Sequence, residues 1–371
     1  MFRHRALVLA LMLGFTAFAF VMAGPRAGLL VMVGLGFGLV LEGLRFGFAG
    51  PWRSIVTDRD GRGMLAQLIA IALVAVVAFP MLAANPAELA PAHAPVGVAM
   101  ILGAFVFGLA MQLVMGCGSG TLVNAGSGNL VGLIALAGFI GGSFAGTLHL
   151  DWWTGLGSLP VASMQSLAGP NAGLALTLAG LALVGGVTLA RAAPGKRIPP
   201  ARLWIAAALI AGLALANLVI AGQPWGIVYG LGLWGAKLAQ AGGADLAQTA
   251  FWAAEGNATR LSASILTDVT SLTNIGLLLG AFAVMRWRAS PGAPAQALTM
   301  ASYAGVLVAA LVLGYSARLA FGCNVGAFFS GISTGSLHGW VWLVAAFGGS
   351  MLGIRLRPMI LRPLPTREAM A

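Results

Sequence analysis

Charge is what this sequence lacks most. Only 9 Asp and Glu and 20 Lys and Arg occur among 371 residues, a charged share of 8%, where a soluble domain carries about 25%. No water-facing surface of this size is built from so few charges, so a soluble enzyme, a disordered region and a DNA-binding domain are all excluded. Cysteine is almost absent as well. Cys117 and Cys323 stand 206 positions apart, which excludes a secreted disulfide scaffold, and a single bridge between them has no other support. A phosphate-binding G-x-x-x-x-G-K-[ST] loop is missing, and so is any soluble domain to carry one.

What the chain has in excess is apolar length. Hydrophobic residues make up 59% of it and its mean hydropathy is +0.94, the signature of an all-α polytopic membrane protein. A bilayer core about 30 Å thick takes roughly 20 apolar residues as a helix. Such runs occur at 6–23, 27–47, 64–84, 96–115, 129–150, 171–190, 203–222, 263–285, 299–316 and 337–356. Three further apolar stretches, 116–128, 225–241 and 317–333, are short, Gly-rich or interrupted, and read as re-entrant or broken pieces. The net charge of +11 does not point to nucleic acid, because the cations fall in short clusters between apolar runs. With the N-terminus inside, 16 of the 20 cations fall on one side, among them Arg45, Arg53, Arg191, Lys196, Arg286, Arg355 and Arg367, while the loops 84–96 and 151–170 contain none. The positive-inside rule therefore predicts ten spans with both termini cytoplasmic. Residues 1–26 read as an additional N-terminal span, with a signal-like segment as the alternative.

The two cysteines mark an internal repeat. Gly108, Leu113, Gly116-Cys117-Gly118 and Gly141-Gly142-Ser143 recur as Gly314, Leu319, Gly322-Cys323-Asn324 and Gly348-Gly349-Ser350. A weaker echo pairs Gly38 and Gly47 with Gly226 and Gly235. The chain thus divides into a first membrane repeat, 27–150, a connector with linker helices, 151–224, a second repeat, 225–356, and a basic cytoplasmic tail, 357–371. In the ten-span topology the repeats run in opposite directions, a plan of secondary transporters in which the substrate path lies where broken helices meet. Cys117 is then carried toward the inner half and Cys323 toward the outer.

Irregular backbone at membrane depth is tolerated where it lines a cavity or is buried in protein, so 116–128 and 322–335 read as pathway segments. Cys117, Cys323, Gly116, Gly118, Gly322 and Gly326 form the breaks, and Asn124, Asn129, Asn324 and Ser336 add neutral hydrogen-bond partners. The helices expected at 129–150 and 337–356 offer their N-termini to an anion. Small and polar residues that merely cement helix contacts are the competing reading. Lys237 and Arg318 are candidates for anion recruitment, interfacial snorkelling being the competing one. Asp268 and Glu42 fall in apolar spans, where ionisable groups are costly and commonly functional; they are candidates for an ion or proton relay. Pairing with a nearby Arg is the structural alternative, Arg45 being three residues after Glu42. His149 and His338 are isolated, so no metal site is expected, and nothing calls for a cofactor.

Taken together, Gly116-Cys117-Gly118, Gly322-Cys323-Asn324-Val325-Gly326-Ala327 and Gly335-Ser336-Leu337-His338-Gly339 resemble the YeeE/YedE sulfur-transport family. The stretch from Leu41 to Arg53, with Arg45-Phe46-Gly47-Phe48-Ala49-Gly50, is similar to that family's first signature. The resemblance covers 27–356 and implies a permease of the bacterial inner membrane. It would take up a small sulfur-containing anion, thiosulfate first, along a narrow path lined by cysteine thiols, and would not be an enzyme. It also implies a TusA-like cytoplasmic sulfur-carrier protein as partner, besides membrane lipids. Cys117 and Cys323 match two of the family's path cysteines; where the family has a third, this chain has Gly47. Two rival functions stay open: a membrane-embedded sulfurtransferase using a Cys persulfide, and a proton-coupled or cation transporter built on Asp268.

Overall fold

A computed structural model describes residues 2–288 and 298–362, with side chains from residue 5 onward. The last nine residues of the expected tail, Arg367 among them, lie outside the described residues. The chain opens with α1 (Phe2–Ala23) and α2 (Pro25–Gly43). Gly24 alone joins them at φ +86°, a left-handed conformation glycine adopts without strain, and Pro25 starts α2 where its missing N–H costs nothing. Then come the short α3 (Ala49–Thr57), α4 (Arg62–Ala84), α5 (Val98–Leu113), α6 (Gly118–Gly126) and α7 (Leu130–Leu148). Two short turns, α8 (Leu150–Thr154) and α9 (Met164–Ala168), precede the long α10 (Pro170–Arg191) and α11 (Ala201–Ala221). The last third contains α12 (Val228–Ala241), α13 (Ala250–Ala253), α14 (Glu255–Ser262), α15 (Val269–Trp287) and α16 (Met300–Leu319). A π-helical segment, Asn324–Gly331, and α17 (Leu337–Ile360) complete it. No strand forms among the described residues.

Among the described residues, ten stretches are long and apolar enough to cross a bilayer: α1, α2, α4, α7, α10, α11, α15 and α17, together with α5 running on into α6 and α16 running on into the π-helical segment. Their number and order match the sequence reading. Differences are confined to ends: the span expected at 263–285 begins at Val269, and α17 continues to Ile360, so the expected tail starts inside a helix.

Helices in lipid gain nothing from hiding apolar surface from one another and associate by close packing. Here glycines provide it. Gly34 and Gly38 of α2 face Gly276 and Gly280 of α15, Gly108 of α5 faces Ala346 of α17, and Gly142 of α7 faces Leu311 of α16. At each crossing a Cβ would fall on the backbone of the neighbouring helix.

The packing pairs come in matched sets: α2 with α15 and α11 with α4, α5 with α17 and α16 with α7, and α5 with α16 across the centre. In this scheme α11 stands to α4 as α2 stands to α15. The weak echo between Gly38 and Gly226 does not hold: Gly38 lies in a helix crossing, whereas Gly226 lies in the break before α12.

Replacing Gly142 by Val is expected to lower the stability of the detergent-solubilised protein by about 1–3 kcal/mol, the usual cost of overpacking. Gly186→Ala, at a position where a Cβ meets no atom within 4 Å, should leave the melting temperature followed by size-exclusion chromatography unchanged.

Candidate functional site

Two bends of the same construction meet at the centre. In the first, Met115 adopts φ +61°, and the chain passes through Gly116 to Cys117, which stands in extended conformation at the N-terminus of α6. In the second, Phe321 adopts φ +55°, and the chain passes through Gly322 to Cys323, extended at the N-terminus of the π-helical segment. Each cysteine carbonyl accepts the N–H four residues on, Thr121 and Ala327, both at 2.8 Å. Left-handed Met and Phe are costly, and two of them at matched points indicate a conformation held for a purpose. Gly322 is obligatory: its φ is +151° and a Cβ would stand 2.8 Å from Ala327 N.

Both cysteines are free and buried. They do not stand in opposite halves, as the spans suggested, but at a common point. A Cβ on Gly118, the residue after Cys117, would lie 2.8 Å from the Cys323 sulfur and 3.3 Å from Ile227 Cγ2. The break before α12 therefore joins the two Gly-Cys bends. The helix starts that meet the cysteines belong to α6 and the π-helical segment, not to α7 and α17 as expected. The start of α7 is already occupied, since Asn129 Oδ1 accepts from Val131 N at 2.9 Å. Ser119 Oγ lies 3.4 Å from the Cys117 sulfur.

Around this point, buried polar atoms lack protein partners. Asn324 is fully buried with neither Oδ1 nor Nδ2 bonded, and Thr121 Oγ1 is likewise free. Asn274 of α15 donates to Ile227 O at 3.0 Å and leaves its Oδ1 unpaired. An unmet buried polar group costs about 1–3 kcal/mol, so such a cluster is expected where a polar ligand or water passes. Asn124 is differently engaged, donating to Met115 O at 3.3 Å and so buttressing the first bend. Gly326 has open space where a Cβ would be.

A cavity of about 330 Å³ adjoins the second bend, lined by Gly322, Gly326, Gly226, Arg318, Tyr229 and His338 among others. Arg318 is buried; its Nη2 donates to Val228 O at 3.2 Å, and its Nε has no partner. The guanidinium lies over the rings of Phe251 and Tyr229, 5.2 and 5.7 Å from their centroids, which offset part of the cost of burying it. Away from this cavity, aromatic rings crowd the bend region: Phe37 stacks on Trp225 at 3.7 Å, and Phe329 meets Phe48 and Trp225 edge-on.

Other candidates are placed elsewhere. Lys237 Nζ donates to Leu261 O at 2.7 Å and Ala263 O at 2.6 Å, closing the end of α14 rather than facing the cysteines. Glu42 pairs not with Arg45 but with Arg288, at 3.1 Å, joining the end of α2 to that of α15. Asp268 is not inside a span: it caps α15, its carboxylate accepting from Ser271 N at 2.7 Å. Glu42 and Asp268 thus stand at opposite ends of a 19-residue helix, roughly 28 Å apart at 1.5 Å per residue, and form no common relay. Ser336 Oγ lies 2.6 Å from His338 Nδ1. Asn274 escaped the sequence reading because a lone Asn within an apolar run looks like helix packing. His338 was visible in the motif 335–339 but had no visible companion. Among the described residues no group of three His, Cys, Asp or Glu forms a metal site.

Comparison with known proteins gives the family. The family model described as sulphur transport matches residues 44–352, and the chain belongs to that family. The probable transporter YedE of Escherichia coli is 28% identical over 150 residues, 40% of this chain and 36% of that protein. Its namesake in Salmonella typhimurium is 27% identical over the same shares. The chain thus matches about a third of the length of these curated relatives. The thiosulfate transporter TsuA of Spirochaeta thermophila is 25% identical across 84% of this chain and 93% of that protein.

Asp268→Asn is expected to preserve both stability and function, since Asn caps as well as Asp, whereas Asp268→Ala should cost about 1 kcal/mol of stability. Thermal melts and transport assays of the two variants check this; loss of transport in the well-folded Asn variant would restore a carboxylate relay.

Proposed function

We propose that this sulphur-transport family member is a permease that carries a small sulfur-containing anion, thiosulfate first, inward through the point where Cys117 and Cys323 meet. The observation that carries the reading is the junction of two identical Gly-Cys bends beside unpaired Asn324, Thr121 and Asn274, with a buried arginine in the adjoining cavity. A dianion entering the cavity meets the Arg318 guanidinium, which carries a fixed charge and donors suited to an oxyanion. Beyond it the ion meets neutral donors only: the Cys323 and Cys117 S–H groups, the Asn324 amide, and backbone N–H groups at the starts of the π-helical segment and α6. Gly116, Gly118, Gly322 and Gly326 keep that passage free of side chains. Ser336 belongs to the same wall through His338.

The name of the Spirochaeta relative supports thiosulfate as the first substrate to try. In this reading the halves 27–150 and 225–356 run in opposite directions across a bacterial inner membrane, with both termini cytoplasmic and the arginine-rich loops inside. A small cytoplasmic sulfur carrier of the TusA kind would receive the product. The crowd of Phe37, Phe48, Trp225 and Phe329 closes the side of the junction remote from Arg318. Gly47 lies next to that crowd, at the bend where a third thiol would stand; a Cβ there meets no atom within 4 Å.

Uptake of sulfur-labelled thiosulfate by cells lacking their own uptake routes tests the proposal. The parent should accumulate label. Cys117→Ala and Cys323→Ala, at matched expression, should each lose about 10-fold or more, the order of effect of one hydrogen bond to a charged ligand. Gly47→Cys should insert normally and keep its uptake. No uptake by a well-inserted parent rejects thiosulfate as the cargo, and a protein–sulfur adduct accumulating on either cysteine would favour a sulfurtransferase.

A further inference from the structure

His338 sits in the first turn of α17, buried to 1% exposure, and lines the same cavity as Arg318. Its Nδ1 is 2.6 Å from Ser336 Oγ, and its Nε2 has no partner. Either tautomer leaves one hydrogen of this buried pair without an acceptor in the protein. Ser336 is fully buried, and its hydroxyl makes no other side-chain hydrogen bond. If Nδ1 carried the proton, it would donate to Ser336 Oγ and strand the serine hydrogen in the protein interior. If Ser336 donates instead, Nδ1 accepts, the serine is satisfied, and the imidazole proton is left on Nε2. In this second tautomer a neutral His338 holds out an N–H donor with nothing in the protein to receive it, and a bound acceptor would select it.

The neighbouring histidine is differently committed. His93, in the loop between α4 and α5, also lines the cavity, but its Nε2 stands 2.9 Å from Thr334 O. That carbonyl can only accept, so the His93 Nε2–H is already used. Burial pushes the His93 imidazole below its usual range, against the opposing pull of the Thr334 carbonyl, which keeps a second positive charge away from Arg318. The remaining titratable group of the wall, Tyr229, donates its hydroxyl to Asn257 Oδ1 at 2.8 Å. Two nitrogens without protein partners thus belong to residues that line one chamber from two elements: Arg318 Nε on α16 and His338 Nε2 on α17. Neither has an acidic partner among the described residues.

We propose that His338 is a ligand-binding residue of this outer cavity, its Nε2–H and the Arg318 guanidinium together receiving a small tetrahedral oxyanion, with Ser336 the positioning residue that donates to Nδ1. This deepens the permease reading by adding a second ligand at the entrance, and rests on that reading only for the direction of travel. An oxyanion has acceptors on several sides, so a guanidinium and an imidazole on different walls are both satisfied by one ion. A halide, or a cation, is not served by this arrangement. The role assigned to Ser336 changes accordingly: it acts through His338 and does not touch the ion.

The test compares purified, detergent-solubilised parent with His338→Gln, His338→Leu and Ser336→Ala, titrated separately with thiosulfate, sulfate and chloride while binding is followed by thermal stabilisation and by displacement of labelled anion. Gln places an amide N–H where Nε2–H stands and should bind within about 3-fold of the parent. Leu removes the donor and should weaken oxyanion binding about 10- to 100-fold, without changing the melting temperature of the anion-free protein by more than a few degrees. Ser336→Ala, which removes the donor to Nδ1, should lie between them, and chloride should stabilise none. If the parent binds sulfate but not thiosulfate and Leu abolishes that binding, the assignment of His338 holds while thiosulfate falls as cargo. If Leu binds the oxyanions as the parent does, or if Gln fails as badly as Leu in a well-folded protein, the assignment is overturned. A parent that binds no oxyanion overturns it as well.

Discussion

Backbone that leaves the helix at membrane depth must be surrounded by protein, because lipid satisfies neither N–H nor C=O. That constraint organises this molecule. The chain breaks before Cys117, before Cys323 and before α12, and all three breaks come together at one point around Gly118. Long helices then pack around that point, and they do so through glycine, where backbones approach too closely for any Cβ. The same choice that makes the bundle tight leaves little room for side chains at its centre. Polar atoms of Asn324, Thr121 and Asn274 remain unmatched there because a well-packed helix bundle offers them no partner. A packing argument alone places apolar residues at those points; in the proposed reading the retained amides and hydroxyl mark a route for something polar.

Charge is placed with equal economy. Several cations end on carbonyl groups at chain ends and turns: Lys237 on Leu261 and Ala263, Arg288 on Glu42 and Gly43, Arg26 on Ile220 and Ala221. These cations fasten loops. Arg318 differs, being buried, held by ring faces and one carbonyl, and left with a free Nε. A buried guanidinium without a carboxylate is expensive, and in the proposed function the missing partner is the cargo itself.

Much of this was readable from residues. The ten apolar runs and the recurrence of Gly-Cys at an offset of 206 carry the architecture, because lipid imposes a length and glycine tolerates what other residues do not. The left-handed Met115 and Phe321 were not readable, since neither residue type signals positive φ; only the backbone shows that the bends are built alike. Asp268 was misplaced for a boundary reason: drawing the span from 263 put it inside a helix that starts at Val269, and a cap looks like an intramembrane acid. Glu42 had a cation three residues away in sequence, yet its partner comes from a chain segment 246 residues distant. Lys237 had no sequence feature separating a cation that faces a path from one that ties down a loop.

The order of the groups along the proposed route carries a physical sense of its own. An ion drawn from water must first repay its dehydration, which calls for full charge; Arg318, in the cavity wall, would supply it. A second fixed charge at the junction would hold the ion too firmly for it to leave. Conduction requires successive sites that are each weak enough to be vacated. Neutral thiols, an amide and the partial charges of helix starts meet that requirement, because each donates a hydrogen bond without a Coulomb well. Serine would donate more strongly than cysteine and would also hold water more strongly. A thiol is a weak donor that sheds water easily and suits a soft sulfur-bearing ion. On the proposed route the protein thus spends its one strong interaction at the entrance and keeps the passage itself poor in affinity.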